Sequence, residues 1–127
     1  MALTLEKYVK EGDAIVQILL EGSLDSLSAP QFDDYIAEHV SPSTQLVVLN
    51  MKHLEYISSA GIRSVFKLVK QLKANGSRVG VANRQPQITK VFEIIQALPD
   101  LQIFVDDNEM DQYLNAVQEK IISGEDF

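Results

Sequence analysis

The stretch that decides the fold is Leu46-Val47-Val48-Leu49-Asn50-Met51, followed after a short connector by Ser58-Ser59-Ala60-Gly61. The apolar run is typical of a buried strand. Residues 52–57 are predicted to form the connector, and an amphipathic helix is predicted from about residue 60 to residue 74. Two hydroxyls therefore stand beside the free N–H groups of a helix start, where the helix dipole favours an anion by about 0.3–1 kcal/mol. A phosphate, bound from outside or attached to a serine, is the anion that this position favours.

The segment after Ala60 has the periodicity of an amphipathic helix. Apolar side chains recur at spacings of three and four residues and are expected to face the core: Ile62, Val65, Phe66, Val69 and Leu72. Basic side chains lie largely off that stripe: Arg63, Lys67, Lys70 and Lys73. Asn75-Gly76 is a helix-stop signal, so the helix is predicted to end there.

The elements before this unit predict a strand hairpin and a helix. Residues 3–9 and 14–20 are expected to pair as antiparallel strands around the turn at Gly12-Asp13, with Gly22 closing the second strand. Ser28-Ala29-Pro30 predicts the start of the first helix, with Ser28 as its N-cap.

The elements after this unit continue the alternation of strands and helices. Strands are predicted at residues 78–82 and 102–105, and helices at residues 86 to about 98 and 110–121. The resulting order, β-β-α-β-α-β-α-β-α, predicts an α/β fold with a mixed, mostly parallel sheet of about five strands and four helices.

The composition limits the classes of function. A chain of 127 residues and 14.2 kDa is expected to form a single domain, residues 1–127. The net charge of −7 argues against nucleic acid and anionic membrane as partners, because both need a basic patch. The chain has no cysteine, which excludes disulfides and thiol catalysis. Since no signal peptide is recognisable and no apolar run approaches the ~20 residues that span a bilayer, a cytoplasmic protein without membrane insertion is expected.

The polar residues at the strand ends are candidate sites. Ser58 and Ser59 could simply cap a helix, but they lie beyond the carboxyl end of a parallel strand, where function collects in α/β sheets. Asp25 is either the acid of an Asx turn, which the pattern favours, or a polar neighbour of Ser59. A catalytic triad of Ser59, His53 and Asp25 is not supported, because no oxyanion element stands out. His39 and His53 lack partners at metal-ligand spacing, so no catalytic residue, metal or cofactor is predicted.

Several segments together resemble the STAS domain of bacterial anti-sigma factor antagonists. The resemblance is carried by Gly22-Ser23-Leu24-Asp25 with Ser28-Ala29-Pro30, by residues 46–51, and by Leu54-Glu55-Tyr56-Ile57-Ser58-Ser59-Ala60-Gly61-Ile62 with Leu68. Later pieces agree with it: Leu72, Gly76, Val81-Ala82-Asn83 and Val91-Phe92-Glu93-Ile94. The resemblance covers nearly the whole chain and implies a STAS-like fold.

The resemblance also implies a function. In that family an anti-sigma factor that is also a serine-protein kinase phosphorylates a serine or threonine at the start of this helix. The unphosphorylated form binds the kinase and frees the sigma factor, and a metal-dependent serine phosphatase reverses the mark. The phosphoacceptor would be Ser59, and many members carry aspartate where this chain has Ser58. The implied partner-binding positions around the acceptor are Asp25, Ile57, Ser58, Ala60, Gly61 and Ile62.

Three alternatives remain open at the level of sequence. A two-component receiver domain needs an aspartate at the end of its third strand, where this chain has Asn50-Met51. A small serine hydrolase would need a base that the sequence does not supply. A STAS subunit of a signalling, biofilm, secretion or lipid-transport complex, without sigma-factor control, would share the family motif.

Overall fold

The structure, a computed structural model, describes residues 2–10, 12, 14–97 and 106–124. In chain order the elements of this part are β1 (Leu3–Lys10), β2 (Ile15–Leu24), α1 (Ala29–His39), β3 (Leu46–Ile57), α2 (Ser59–Ala74), β4 (Arg78–Ala82), α3 (Pro86–Ala97) and α4 (Asp107–Ile122). The strands form one sheet in the order β1-β2-β3-β4. β1 and β2 are antiparallel, whereas β2, β3 and β4 are parallel. The predicted mixed α/β architecture is confirmed, and the strand predicted at residues 102–105 lies outside the described residues.

β2 continues past Gly22 to Leu24, so the prediction that Gly22 closes this strand is wrong. Gly22 has a φ of +104°, which side-chain-bearing residues rarely adopt, and a Cβ there would overlap the carbonyl of Ala2. The pairing of β2 with β3 shifts register between Gly22 and Ser23. Gly22 is therefore the site of a β-bulge, which bends the strand without ending it.

β3 is longer than the sequence pattern predicted. Residues 52–57 are strand and not a connector, because β2 goes on pairing with β3 as far as Leu24 and Ile57. β4 pairs only with residues 46–50, which leaves the other edge of residues 52–57 without a strand partner in the described part of the chain. Glutamine side chains bond to that edge instead: Gln85 to the carbonyl of Lys52, Gln87 to that of Glu55, and Gln118 to Ile57.

The core lies between the sheet and the helices, and α2 contributes a stripe to it. The buried side chains of this stripe are Ile62, Val65, Leu68 and Leu72. Phe66 and Val69, which the periodicity predicted to point inward, are 39% and 40% exposed. The buried face of the helix is centred nearer to Gly61 and Leu68 than the periodicity predicted. Phe66 and Val69 therefore lie at the margin of that face.

α4 packs against α3 and α2, and its Gln118 reaches the end of β3. The sequence spacing predicts that Met110, Tyr113, Leu114, Val117 and Ile121 form its apolar stripe. Met110, Leu114 and Val117 are buried, whereas Tyr113 is 41% exposed. Asp106 caps the helix, since its carboxylate accepts a hydrogen bond from the Glu109 N–H at 2.9 Å. No helix within the described residues is long and apolar enough to cross a bilayer.

Candidate functional site

The candidate site is the junction at which β3 passes into α2. Ser58 is the N-cap of α2, and its Oγ accepts a hydrogen bond from the Gly61 N–H at 3.4 Å. Its own N–H donates to the carbonyl of Leu24 at the end of β2, at 2.9 Å. Ser59 is the first residue of the helix. Ser58 therefore occupies the cap and Ser59 the first helical position, one residue before the predicted helix start.

The junction is packed more deeply than the sequence suggested. Ser58 is 5% exposed and Ser59 only 1%. Ile57 and Ile62 are fully buried, so the expectation that they offer an apolar surface to a partner does not fit their position. Both isoleucines belong to the core on which the serine turn packs. Ala60 is half-buried.

Gly61 lets the start of α2 lie against the end of β2. A Cβ at this position would stand 2.5 Å from the carbonyl oxygen of Leu24 and 2.9 Å from Cγ1 of Ile57. The carbonyl is backbone and already accepts the hydrogen bond from Ser58, so it cannot move aside freely. The glycine therefore fixes how closely the serine turn approaches the sheet.

Two polar side chains of α4 reach the junction, and sequence reasoning identified neither. The Asp111 carboxylate accepts a hydrogen bond from the Ser59 N–H at 2.8 Å. The amide of Gln118 accepts from the Ile57 N–H at 3.0 Å and donates to the Ile57 carbonyl at 2.7 Å. These contacts span 52 and 61 residues of sequence, so no local pattern could have revealed them.

Asp25 belongs to the neighbouring loop and forms an Asx turn. Its Oδ1 accepts hydrogen bonds from the N–H groups of Leu27 and Ser28, at 3.0 and 3.1 Å. The Ser28 hydroxyl donates to the carbonyl of Ser23 at 2.7 Å and makes no bond to the helix that it precedes. Ser28 therefore has the predicted cap position, but its hydroxyl braces the loop. The interpretation of Asp25 as a turn acid is the one that fits these contacts.

Carboxylates give the junction a negative environment. Burial raises the pKa of the Tyr56 hydroxyl, and the nearby charges of Asp111, Asp25 and Glu119 raise it further. The carboxylate of the loop residue Asp25 and those of Asp111 and Glu119 in α4 therefore all act on the Tyr56 hydroxyl. An added anion at this turn would meet charges of the same sign.

Other chemistry is sparse around the junction. Across residues 2–97 and 106–124, leaving out 11 and 13, no group of three or more His, Cys, Asp and Glu side chains could hold a metal ion. His39 lies 3.8 Å from the Glu38 carboxylate and 4.3 Å, between ring centroids, from Tyr35. His53 is in β3 opposite Glu21. Neither histidine is brought to Ser59, so the catalytic triad that the sequence did not support is not assembled.

Comparison with known proteins identifies the family. The family model described as STAS domain matches residues 5–110. BtrV of Bordetella bronchiseptica, a proposed anti-sigma factor antagonist, is 34% identical over 94 residues, which are 74% of this chain and 78% of that protein.

Solved structures share the fold. The anti-sigma factor antagonist SpoIIAA, a Bacillus cell fate determinant, is 26% identical and has a TM-score of 0.58 in both its unphosphorylated and phosphorylated forms. The unphosphorylated form matches over 73% of this chain and 83% of SpoIIAA. The structure of Mglu is 25% identical over 62% of this chain with a TM-score of 0.53, and the chain spans only 20% of Mglu. The match over most of the sequence and the shared fold show that this chain belongs to the STAS domain family.

Proposed function

We propose that this protein is an anti-sigma factor antagonist that is switched by phosphorylation of Ser59. In its unphosphorylated form it binds an anti-sigma factor that is also a serine-protein kinase, which then releases its sigma factor. The observation that carries the proposal is the serine at the first position of α2 in a STAS domain whose relatives include BtrV and both forms of SpoIIAA. The whole chain, residues 1–127, would act as one domain.

The modification would be an ordinary phosphoryl transfer. The Ser59 hydroxyl oxygen attacks the γ-phosphorus of ATP held by the kinase, and the bond from that phosphorus to the β–γ bridging oxygen breaks. ADP leaves, and the hydroxyl proton passes to a base of the kinase. A metal-dependent serine phosphatase would hydrolyse the ester and restore the binding form. The protein is a substrate and a binder in this cycle, with no active site of its own.

The physical effect of the mark is local and electrostatic. A phosphate adds about −1.5 to −2 charges at a turn where Asp111 and Asp25 already place carboxylates. The helix dipole tolerates an anion there, so the fold should survive. A like charge brought into an interface can cost several kcal/mol, and each 1.4 kcal/mol is about tenfold in affinity. ATP and sigma factors are cytoplasmic, so the role places the protein in the cytoplasm.

The test uses the kinase that the unmodified chain captures, purified and mixed with ATP and the chain. We expect mass spectrometry to find one phosphate, on Ser59, and none on the Ser59→Ala variant. Ser64→Ala removes a buried hydroxyl five residues farther along the same helix and is the matched control, which should be phosphorylated normally. Phosphate on Ser58, or normal labelling of Ser59→Ala, would move the site one residue upstream.

Binding to the same kinase tests the switch. Calorimetry should show tight binding of the wild type and of Ser59→Ala, weaker binding of Ser59→Asp, and weakest binding of the phosphorylated form. Equal affinities for the wild type and the phosphorylated form would contradict the switch. A captured partner that is neither a kinase nor linked to a sigma factor would favour a STAS subunit of another signalling, biofilm, secretion or lipid-transport complex.

A further inference from the structure

The sheet buries its two faces to different extents. β2, β3 and β4 are parallel neighbours, so right-handed crossovers through α1 and α2 place both helices on the same face. The side chains on that face are fully buried, among them Val16, Ile18, Val47 and Leu49. The alternate side chains of β2 and β3 remain half-buried and belong to the opposite face, which we call the open face: Ile15, Gln17, Leu19, Leu46, Val48 and Asn50.

Charge is separated along the strands of the open face. The cations Lys10 and Arg78 lie on its two edge strands, at the level where β2 and β3 begin. Glu6 lies on the same face four residues earlier in β1, and its carboxylate accepts a hydrogen bond from the Tyr8 hydroxyl at 3.0 Å. The row between these two levels is uncharged and consists of Tyr8, Gln17, Val48 and Gly80. One end of the open face is therefore cationic and the other anionic.

The middle of the open face has the character and the size of a small interface. Ile15, Leu19 and Val48 are half-buried there, and Tyr8 at the edge is 53% exposed. Four strands of about eight residues cover about 19 Å by 26 Å, so two such faces in contact bury about 1,000 Å². That area is at the lower end for a specific interface, which fits a transient dimer. An uncharged centre with charges at the rim is the usual arrangement of such an interface.

We propose that the open face is the interface of a homodimer, in which the sheets of two copies pack face to face with antiparallel strands. The two-fold axis crosses the uncharged row, so Lys10 of each copy lies over Glu6 of the other, and Ile15 lies over Leu19. The other two-fold arrangement, with parallel strands, places Lys10 over Arg78 and is opposed by their like charge. Because α2 lies on the opposite face of the sheet, the dimer leaves Ser59 free in both copies, and its formation does not depend on phosphorylation.

Analytical ultracentrifugation of the full chain measures the association. We expect reversible dimerisation of the 14.2 kDa chain with a dissociation constant of roughly tens of micromolar, as suits an interface of this size. Val48→Lys places two cations opposite each other at the axis and should weaken the dimer at least about tenfold. Ile122→Lys adds the same charge at a 62% exposed side chain of α4 and should leave the constant unchanged. A wild type that is monomeric at about 500 μM, or equal weakening by both variants, would overturn the proposal.

Exchanging the two charges of β1 tests the antiparallel arrangement. Lys10→Glu or Glu6→Lys alone turns both rim pairs from attraction into repulsion and should raise the dissociation constant about tenfold. The double variant with both substitutions restores opposite charges in each pair and should bind within about threefold of the wild type. Single variants that dimerise as tightly as the wild type, or a double variant that stays as weak as the singles, would refute the pairing of Lys10 with Glu6.

A disulfide locates the axis without relying on affinity. The chain has no cysteine, so each engineered thiol is unique. Packed sheets lie about 10 Å apart, which brings the Cβ atoms of the two residues 17 within reach of a disulfide. Gln17→Cys should therefore form a covalent dimer under mild oxidation. Glu21→Cys, on the same strand and face but away from the axis, should cross-link at least about tenfold more slowly. Equal rates at the two positions, or no cross-link at position 17, would overturn the proposed packing.

Discussion

Replacing Gln118 by leucine should destabilise the protein because it removes the hydrogen-bond partner of the buried Ile57 backbone. The amide of Gln118 is fully buried and bonds both the N–H and the carbonyl of Ile57, at 3.0 and 2.7 Å. It also donates to the carbonyl of Leu114 at 3.2 Å. Leucine has similar volume but no polar atom, so Gln118→Leu leaves both groups of Ile57 without a partner in the core.

The expected magnitude follows from those two groups. A buried backbone group without a hydrogen bond costs about 1–3 kcal/mol, so the pair costs about 2–6 kcal/mol. The apolar leucine recovers about 1.5–3 kcal/mol by being buried. The net loss should be about 2 kcal/mol. At roughly 4 °C per kcal/mol for a chain of this size, the midpoint of thermal unfolding should fall by about 8 °C.

Far-UV circular dichroism during urea and thermal unfolding is the assay, since the chain has no tryptophan. Gln85→Leu is the matched control, because the half-buried Gln85 makes the same kind of bond to the Lys52 carbonyl, and that bond is open to solvent. Water replaces that bond, so the control should lose less than about 0.5 kcal/mol. If Gln118→Leu were as stable as the wild type, or lost no more than the control, the hydrogen bonds from Gln118 to the Ile57 backbone would not stabilise the end of β3.

Three further substitutions test the junction. Gly61→Ala should lose about 1–3 kcal/mol in urea unfolding, because its Cβ would press on the Leu24 carbonyl; an unchanged midpoint would contradict that contact. Ser58→Ala should lose about 0.5–1 kcal/mol, the low end for an N-cap, since its bond to Gly61 is 3.4 Å long; a loss above about 2 kcal/mol would be too large for a cap. Tyr56 has a raised pKa in the folded protein, so its contribution is complete below about pH 10 and is lost as the pH rises through the folded value. Tyr56→Phe should therefore flatten the alkaline fall in stability, and a curve identical to the wild type above pH 10 would refute this.

The local parts of the fold could be predicted from the sequence because they depend on near neighbours. The apolar run at residues 46–51, the helix start at Ser59 and the spacing of the α4 side chains each carry their own signal. The extension of β3 to Ile57 carries none, because residues 52–57 are polar enough to read as a connector. That extension is a strand only because β2 bends at Gly22 and continues alongside, and because side chains from α3 and α4 bond its other edge.

The burial of the candidate site was the least predictable feature, for the same reason. A serine at the start of a helix is exposed in most amphipathic patterns, and nothing near Ser59 in the sequence says that a carboxylate of a later helix bonds its N–H. The contact depends on Asp111 and Gln118, two residues spaced by seven on one face of α4. Polar side chains on a helix read as its solvent face, and only tertiary structure shows that these two point inward.

The source of the negative charge at the junction bears on how the site is controlled. The family resemblance places an aspartate before the acceptor in many members, whereas this chain has Ser58, whose hydroxyl caps α2. The carboxylate that meets the helix start comes instead from Asp111, through space, to the N–H of Ser59. A carboxylate near a helix start stabilises it wherever it comes from. A neighbour in sequence can never leave, however, whereas a carboxylate on a separate helix can be withdrawn. In this chain the charge that stabilises the start of α2 therefore depends on where α4 packs.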